Sequence, residues 1–153
     1  MTRRRSRARC AGLGLSLLAV SVLASGCAGN PRSVYRDSAA DVLAATLSEG
    51  RTAELAGRLW VDGRSTHPFA VVVVGASDTG IGAEVDWFEQ LDPPGVAGSS
   101  VRARTVDALD ATASAVQQVR IALGRSDRPA TRAALADLRA ACADVEALAG
   151  TLS

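Results

Sequence analysis

The chain has 153 residues, of which 48% are hydrophobic, 22% charged and 3% aromatic, and its formal net charge is +1. This length supports one ordinary domain and excludes a multidomain protein. Nucleic-acid binding requires clustered positive charge. Beyond the first ten residues, the Arg side chains are scattered among 16 acidic ones. We therefore expect no nucleic-acid partner.

The first 26 residues have the pattern of an export signal. Residues 1–10 contain five Arg and no acidic side chain, and an apolar run follows from Ala11 to Leu23. This run of 13 residues is shorter than the roughly 18 needed to cross a bilayer. The pattern therefore predicts a cleaved signal peptide over 1–26. Its removal leaves 12 Arg against 16 acidic residues, a net charge of −4.

The apolar run ends in Ala24-Ser25-Gly26-Cys27, which resembles the lipobox of actinobacterial-type lipoproteins. The resemblance covers only residues 1–27, and Ala24 stands where that family usually has Leu. It implies that Cys27 becomes an acylated N-terminus that binds membrane lipid on the extracytoplasmic face of the cell membrane. Residues 27–32 would be the tether. Small residues at Ala24 and Gly26 also suit ordinary cleavage, which would give a secreted, non-lipidated protein.

Residues 33–153 are predicted to form an all-α domain, with helices over about 33–62, 67–91, 100–123 and 127–150. The motif G-R-S-x-x-P occurs at 63–68 and again at 124–129. Its Gly can end one helix, its Ser can cap the next, and its Pro is tolerated in a first turn. Residues 92–100, rich in Pro and Gly, are predicted to link two hairpins. The predicted fold is a four-helix bundle built from two antiparallel αα-hairpins.

The second helix is predicted to bury one apolar stripe. Residues 71–74 are all Val and favour a strand by propensity. The helical spacing continues through Leu91, however, which favours a helix. The stripe that we expect to face the core contains Phe69, Val72, Val73, Ala76, Gly80, Ala83, Trp87 and Leu91, and Val74, Ile81, Val85 and Phe88 widen it on one side.

The other helices differ in how clearly they show one apolar face. In the fourth, the stripe from Leu135 to Ala149 includes Cys142, which is predicted to be a small core residue. In the first, Leu55 and Leu59 are rotated away from the face that begins at Tyr35. This rotation predicts a break near Gly50, with Thr52 placed to cap a restart.

Residues that could carry chemistry do not combine into a site. His67 is the only imidazole and is predicted to be a solvent-facing residue at a helix start. One His and one non-lipidated Cys cannot form a Cys/His zinc site. The glycines between Gly75 and Gly82 are spaced one residue wider than the short-chain dehydrogenase cofactor motif. Glu84, Asp86 and Glu89 are predicted to be a solvated face. We therefore expect no catalytic, cofactor or metal residues.

These observations favour a non-catalytic interaction or structural module of the cell envelope, with an envelope protein as its unidentified partner. The alternative is a helical bundle that binds a small ligand or metal in its interior near Trp60 or Trp87.

Overall fold

The computed structural model describes residues 30–152, which form four α-helices and no strand. The helices are α1 (Pro31–Val61), α2 (His67–Glu89), α3 (Gly95–Gly124) and α4 (Arg128–Leu152). The predicted all-α four-helix bundle is confirmed for these residues.

Helices that follow one another in the chain are neighbours in space, and α4 also packs beside α1. Connections this short force neighbouring helices to run antiparallel. Both hairpin turns therefore lie at one end of the bundle, which we call the turn end. The start of α1, the link between α2 and α3, and the end of α4 lie at the other, which we call the open end. Within the described residues, α1 and α3 also touch across the middle, whereas α2 and α4 do not.

The core has two clusters of buried apolar side chains. The larger contains Trp60, Val74, Ile81, Val116, Val119, Leu123, Leu135, Leu138 and Cys142, with several alanines. The smaller, towards the open end, contains Tyr35, Ala39, Val42, Leu43, Phe88, Leu109, Val145 and Leu152. The predicted core placement of Cys142 is therefore confirmed, and Trp60 is buried as well.

Helix α1 is continuous, so the predicted break near Gly50 is wrong. Its buried face continues through small residues that a search for large apolar side chains overlooks, among them Gly50, Ala53 and Gly57. A Cβ on Gly50 would lie 2.7 Å from the Cys142 Sγ, so the glycine allows α4 to approach α1 closely. Thr52 caps nothing, because its hydroxyl donates to the Ser48 carbonyl one turn earlier, at 2.9 Å.

The first hairpin turn uses its glycine as the motif predicts. Gly63 has a φ of +71°, in the left-handed region that glycine tolerates best. Its amide donates to the Trp60 carbonyl at 3.0 Å, and the Arg64 amide donates to the Leu59 carbonyl at 2.7 Å. These two bonds form a Schellman motif, which satisfies carbonyls left open at the end of α1.

The second turn forms the same motif two residues later than the repeat predicts. Gly124 is the last residue of α3, and Ser126 takes the left-handed conformation with a φ of 54°. The Ser126 amide donates to the Leu123 carbonyl at 2.8 Å, and the Asp127 amide to the Ala122 carbonyl at 3.1 Å. The two copies of G-R-S-x-x-P are thus alike in sequence and shifted in structure.

The predicted serine caps are also wrong. Helix α2 begins after Thr66, and no side-chain cap bond is formed there. At the start of α4, the Asp127 carboxylate accepts a hydrogen bond from the Ala130 amide at 3.0 Å, as an N-cap residue does. Pro68 and Pro129 nevertheless lie in the first turns of their helices, where a missing N–H costs little.

The shift between the turns predicts opposite effects of the same substitution. Gly63→Ala is expected to lower the free energy of unfolding by about 1 kcal/mol, because a left-handed residue with a Cβ is strained. Gly124→Ala is expected to leave it unchanged or raise it, because Gly124 is helical and a Cβ there would meet nothing within 4 Å. Urea denaturation of both variants tests this. Equal losses would contradict the shift.

Helix α3 begins at Gly95, so the predicted linker 92–100 is too long. The last six of its nine residues are helical. Gly98 permits this, because a Cβ there would lie 2.5 Å from the Pro94 Cδ that folds back against it. The link between the hairpins is therefore short, and it holds α2 and α3 side by side.

Candidate functional site

Helix α2 exposes most of the stripe that was predicted to be buried. The exposed fractions are 52% for Phe69, 69% for Val72 and 46% for Trp87. Ala76 and Ala83 between them are also exposed. The predicted core position of these residues, including Trp87, is therefore wrong, whereas Val74, Ile81 and Phe88, which widen the predicted face on one side, are buried. We call the surface formed by Phe69, Val72, Ala76, Thr79, Ala83 and Trp87 the outer face of α2.

The opposite side of α2 enters the core instead, through Ala70, Val74, Ser77, Ile81 and Phe88. The physical reason is the size of the side chains. At the middle of the helix, Val74 and Ile81 are larger than Ala76 and Ala83 of the outer face, so burying them removes more apolar area from water. The large outer-face residues Phe69 and Trp87 lie at its two ends. The Asp78 carboxylate, 3.2 Å from the Arg120 guanidinium of α3, helps to fix this orientation.

The outer face forms an apolar strip along one side of the molecule. From Phe69 to Trp87 it is about 27 Å long, at 1.5 Å per residue. Its only polar side chain is that of Thr79, whose hydroxyl donates to the Gly75 carbonyl within the helix at 3.1 Å. Contiguous apolar surface of this kind on a soluble domain is typical of an interaction site.

Charged side chains differ between the two ends of α2. Asp86, Glu89 and Asp92 are exposed at the open end. At the turn end, Arg64 is exposed beside the start of α2, and Arg125 is exposed in the neighbouring turn. Asp62 and Asp127 are also exposed at the turn end, and Arg102 lies at the open end, where it donates to the Leu91 and Glu89 carbonyls. The two ends of the outer face thus differ in their balance of charge, with acidic side chains in excess at the open end and Arg in excess at the turn end.

Helix α2 is also the one described helix that is long and apolar enough to cross a membrane by composition. A core helix of a soluble bundle passes the same test. The inner face of α2 belongs to the core, so its apolar character has a structural explanation on that side only.

His67 is not the solvent-facing residue that the sequence predicts. It is partly buried, and its Nε2 lies 2.7 Å from the Leu123 carbonyl, to which it must donate because a carbonyl only accepts. Its ring packs on Trp60 with centroids 5.3 Å apart, and the Arg128 guanidinium lies 5.4 Å from the Trp60 ring centroid. These contacts join the two hairpins at the turn end. The Nε2–H group is therefore used for a contact within the bundle.

Cys142 is buried against α1, as predicted. Burial raises the pKa of its thiol, and the nearby Glu54 carboxylate raises it further. A thiol with a raised pKa is a poor nucleophile. Cys142 is therefore a packing residue beside Gly50.

One shallow groove runs along the exposed side of α1, and it is lined by Ala44, Leu47, Ser48, Arg51, Thr52 and Leu55. In residues 30–152 no three His, Cys, Asp or Glu side chains are grouped as a metal site would need. Glu84, Asp86 and Glu89 lie at the open end of α2 without such a grouping.

The predicted lipidation site, Cys27, and the signal peptide over 1–26 lie outside the described residues. The candidate site that the structure adds is the outer face of α2. The sequence carries a signal for it, because a helix with apolar residues on two sides cannot bury both of them in a four-helix bundle.

Comparison of the chain with models of known protein families, with curated proteins and with solved structures finds no match.

Proposed function

We propose that the protein is a lipid-anchored protein of a bacterial cell envelope, attached through Cys27, and that its helical bundle is a non-catalytic interaction module. The observation that carries the proposal is the outer face of α2, an apolar surface that the bundle leaves uncovered. A surface of this kind costs solubility in an isolated domain. A partner that covers it would remove that cost.

The anchor rests on the sequence. Five Arg, an apolar run and a Cys at the small-residue end of that run occur in the order that lipoprotein export requires. Acyl chains add about 0.8 kcal/mol of membrane affinity per buried methylene, so two or three chains hold a protein durably. Under this proposal the bundle works at the membrane surface, close to envelope proteins.

Replacing Cys27 tests the anchor. In the bacterial host, Cys27→Ser is expected to move the protein from the membrane fraction to the medium, or to leave the chain uncleaved, because no thiol remains to be acylated. The parent chain is expected to show an intact mass that includes acyl groups and begins at Cys27. Fractionation measures the location of the variant, and intact-mass spectrometry of the protein purified from the host measures the mass of the parent.

The control is Cys10→Ser, which removes a thiol from the predicted signal peptide and should leave fractionation and mass unchanged. A parent protein of unmodified mass that begins after residue 26 or 27 would contradict lipidation, and it would identify the secreted form instead.

A further inference from the structure

We propose that the outer face of α2 binds the outer face of α2 in a second copy of this chain, with the two helices antiparallel about a twofold axis. The inference deepens the interaction module of the proposed function by naming its partner. It does not depend on lipidation at Cys27.

The spacing of side chains on the outer face suits this symmetry. Phe69 and Trp87 lie nine residues on either side of position 78, and the small outer-face residues Ala76 and Thr79 lie within two residues of it. In an antiparallel pair centred at position 78, Phe69 of each copy meets Trp87 of the other, so one such aromatic pair forms at each end of the interface. Small residues meet at the middle, where they allow two helix backbones to approach closely.

Charge favours antiparallel over parallel pairing. An antiparallel pair brings Glu89 and Asp92 of one copy towards Arg64 and Arg125 of the other, and it does so twice. A parallel pair would instead place Asp86 beside Asp86 and Glu89 beside Glu89. Like charges at such distances cost free energy, and opposite charges select register.

Charge also argues against a lipid surface as the occupant. Helices that lie on anionic membranes carry Lys or Arg on their polar side. Between His67 and Glu89 there is no Lys or Arg, and the four charged residues are Asp78, Glu84, Asp86 and Glu89. A surface with an acidic end, a basic end and symmetric apolar spacing complements a second copy of itself.

The size of the surface predicts a moderate affinity. A stable dimer usually buries about 800 Å² on each partner. One strip about 27 Å long on a helix about 10 Å wide provides less than that by itself. We therefore expect a reversible dimer, which attachment to one membrane would favour by concentrating the chain.

Disulfide cross-linking of the full chain, in both the membrane fraction and the medium of the expressing host, tests the pairing. Thr79 is exposed and lies one residue from the centre, so Thr79→Cys should meet its own copy and form a disulfide-linked dimer. Val72→Cys alone should not, because its two copies would be about 18 Å apart along the helices. Ala83→Cys alone should not form a cross-linked dimer either. When the Val72→Cys chain and the Ala83→Cys chain are co-expressed, one chain should cross-link to the other. The parent chain, in which Cys142 is buried, measures the background.

Any other pattern of cross-linking would contradict the proposal. Cross-linking of Val72→Cys and Ala83→Cys separately would show parallel pairing. A Thr79→Cys variant that stays at background would show that the occupant is not a second copy. In that case, shielding of Trp87 from acrylamide only by added lipid vesicles would assign a membrane surface.

A charge variant supplies the second measurement. Ala76→Arg places two like charges near the axis and is expected to lower the cross-linking yield of Thr79→Cys by at least about ten-fold. Ala136→Arg, at an exposed Ala on α4, is the matched control and should leave the yield unchanged. Equal yields in both variants would contradict the assigned face. The fractionation of Cys27→Ser reads the anchor separately, so the failure of one proposal is distinguishable from the failure of the other.

Discussion

Phe88→Ala is expected to lower the free energy of unfolding by about 3–5 kcal/mol, because a fully buried aromatic ring would be replaced by a cavity. Phe88 is 0% exposed, and its ring packs against Tyr35 with centroids 5.6 Å apart. Urea denaturation followed by circular dichroism measures the loss. This loss of stability is one of the two largest that we expect from a single substitution in the chain.

The adjacent residue is the control. Trp87→Ala removes a larger side chain, but Trp87 is 46% exposed, so we expect a loss of less than about 1 kcal/mol. Measuring both variants at two protein concentrations separates folding from self-association. If Trp87→Ala were the more damaging change, α2 would be rotated, and the outer face would not exist as described.

Gly50→Leu is expected to lower the free energy of unfolding by about 3 kcal/mol, at the upper end of the range for overpacked cores. Even a Cβ at Gly50 would lie 2.7 Å from the Cys142 Sγ, and the Thr112 and Leu138 side chains lie within 4 Å. The larger side chain would force α1 away from α4. Thermal unfolding of the variant measures the effect.

Two further variants identify the cause of this loss. Gly150→Leu, at an exposed position where a Cβ would meet nothing within 4 Å, should leave stability close to that of the parent. Adding Cys142→Ala to Gly50→Leu should restore part of the lost stability, because it removes the atom nearest to the new side chain. A fully additive double variant would mean that the two residues do not compete for space.

The sequence predicted the architecture well where a helix had one apolar side. In α4 the residues Leu135, Leu138, Cys142 and Val145 share a face, and all four are buried. The repeated turn motif placed both hairpin connections, because Gly and Pro restrict where a helix can end and begin.

The orientation of α2 could not be predicted in the same way. Both of its sides are apolar, and the contacts that decide between them come from α1 and α3. The same limit applies to Gly50, since an apolar face that continues through glycine is recognised only when the neighbouring helix is known. It also applies to Ser126, which takes a left-handed conformation that the motif predicts for Gly124.

The residues of the candidate site also differ in how far the sequence alone predicts their roles. The lipobox-like residues before Cys27 are read from the sequence alone, and lipidation stays a prediction. The outer face of α2 became visible only in the folded bundle. The sequence predicts a solvent-facing His67 because this residue lies in a turn immediately before Pro68, whereas its partner Leu123 comes from a distant part of the chain.

The position of the start of α1 at the open end has a geometric consequence for an anchored pair. In an antiparallel dimer the two open ends point in opposite directions, separated by about the 35 Å length of α2. Three residues lie between Cys27 and Pro31, and the four Cα-to-Cα steps that join them span at most about 14 Å. If the helices of the dimer were perpendicular to the bilayer, the start of α1 in one of the two copies would lie too far away for its acylated Cys27 to insert. Both bundles would therefore recline along the bilayer, with the twofold axis perpendicular to it, and would cover a broad and shallow footprint.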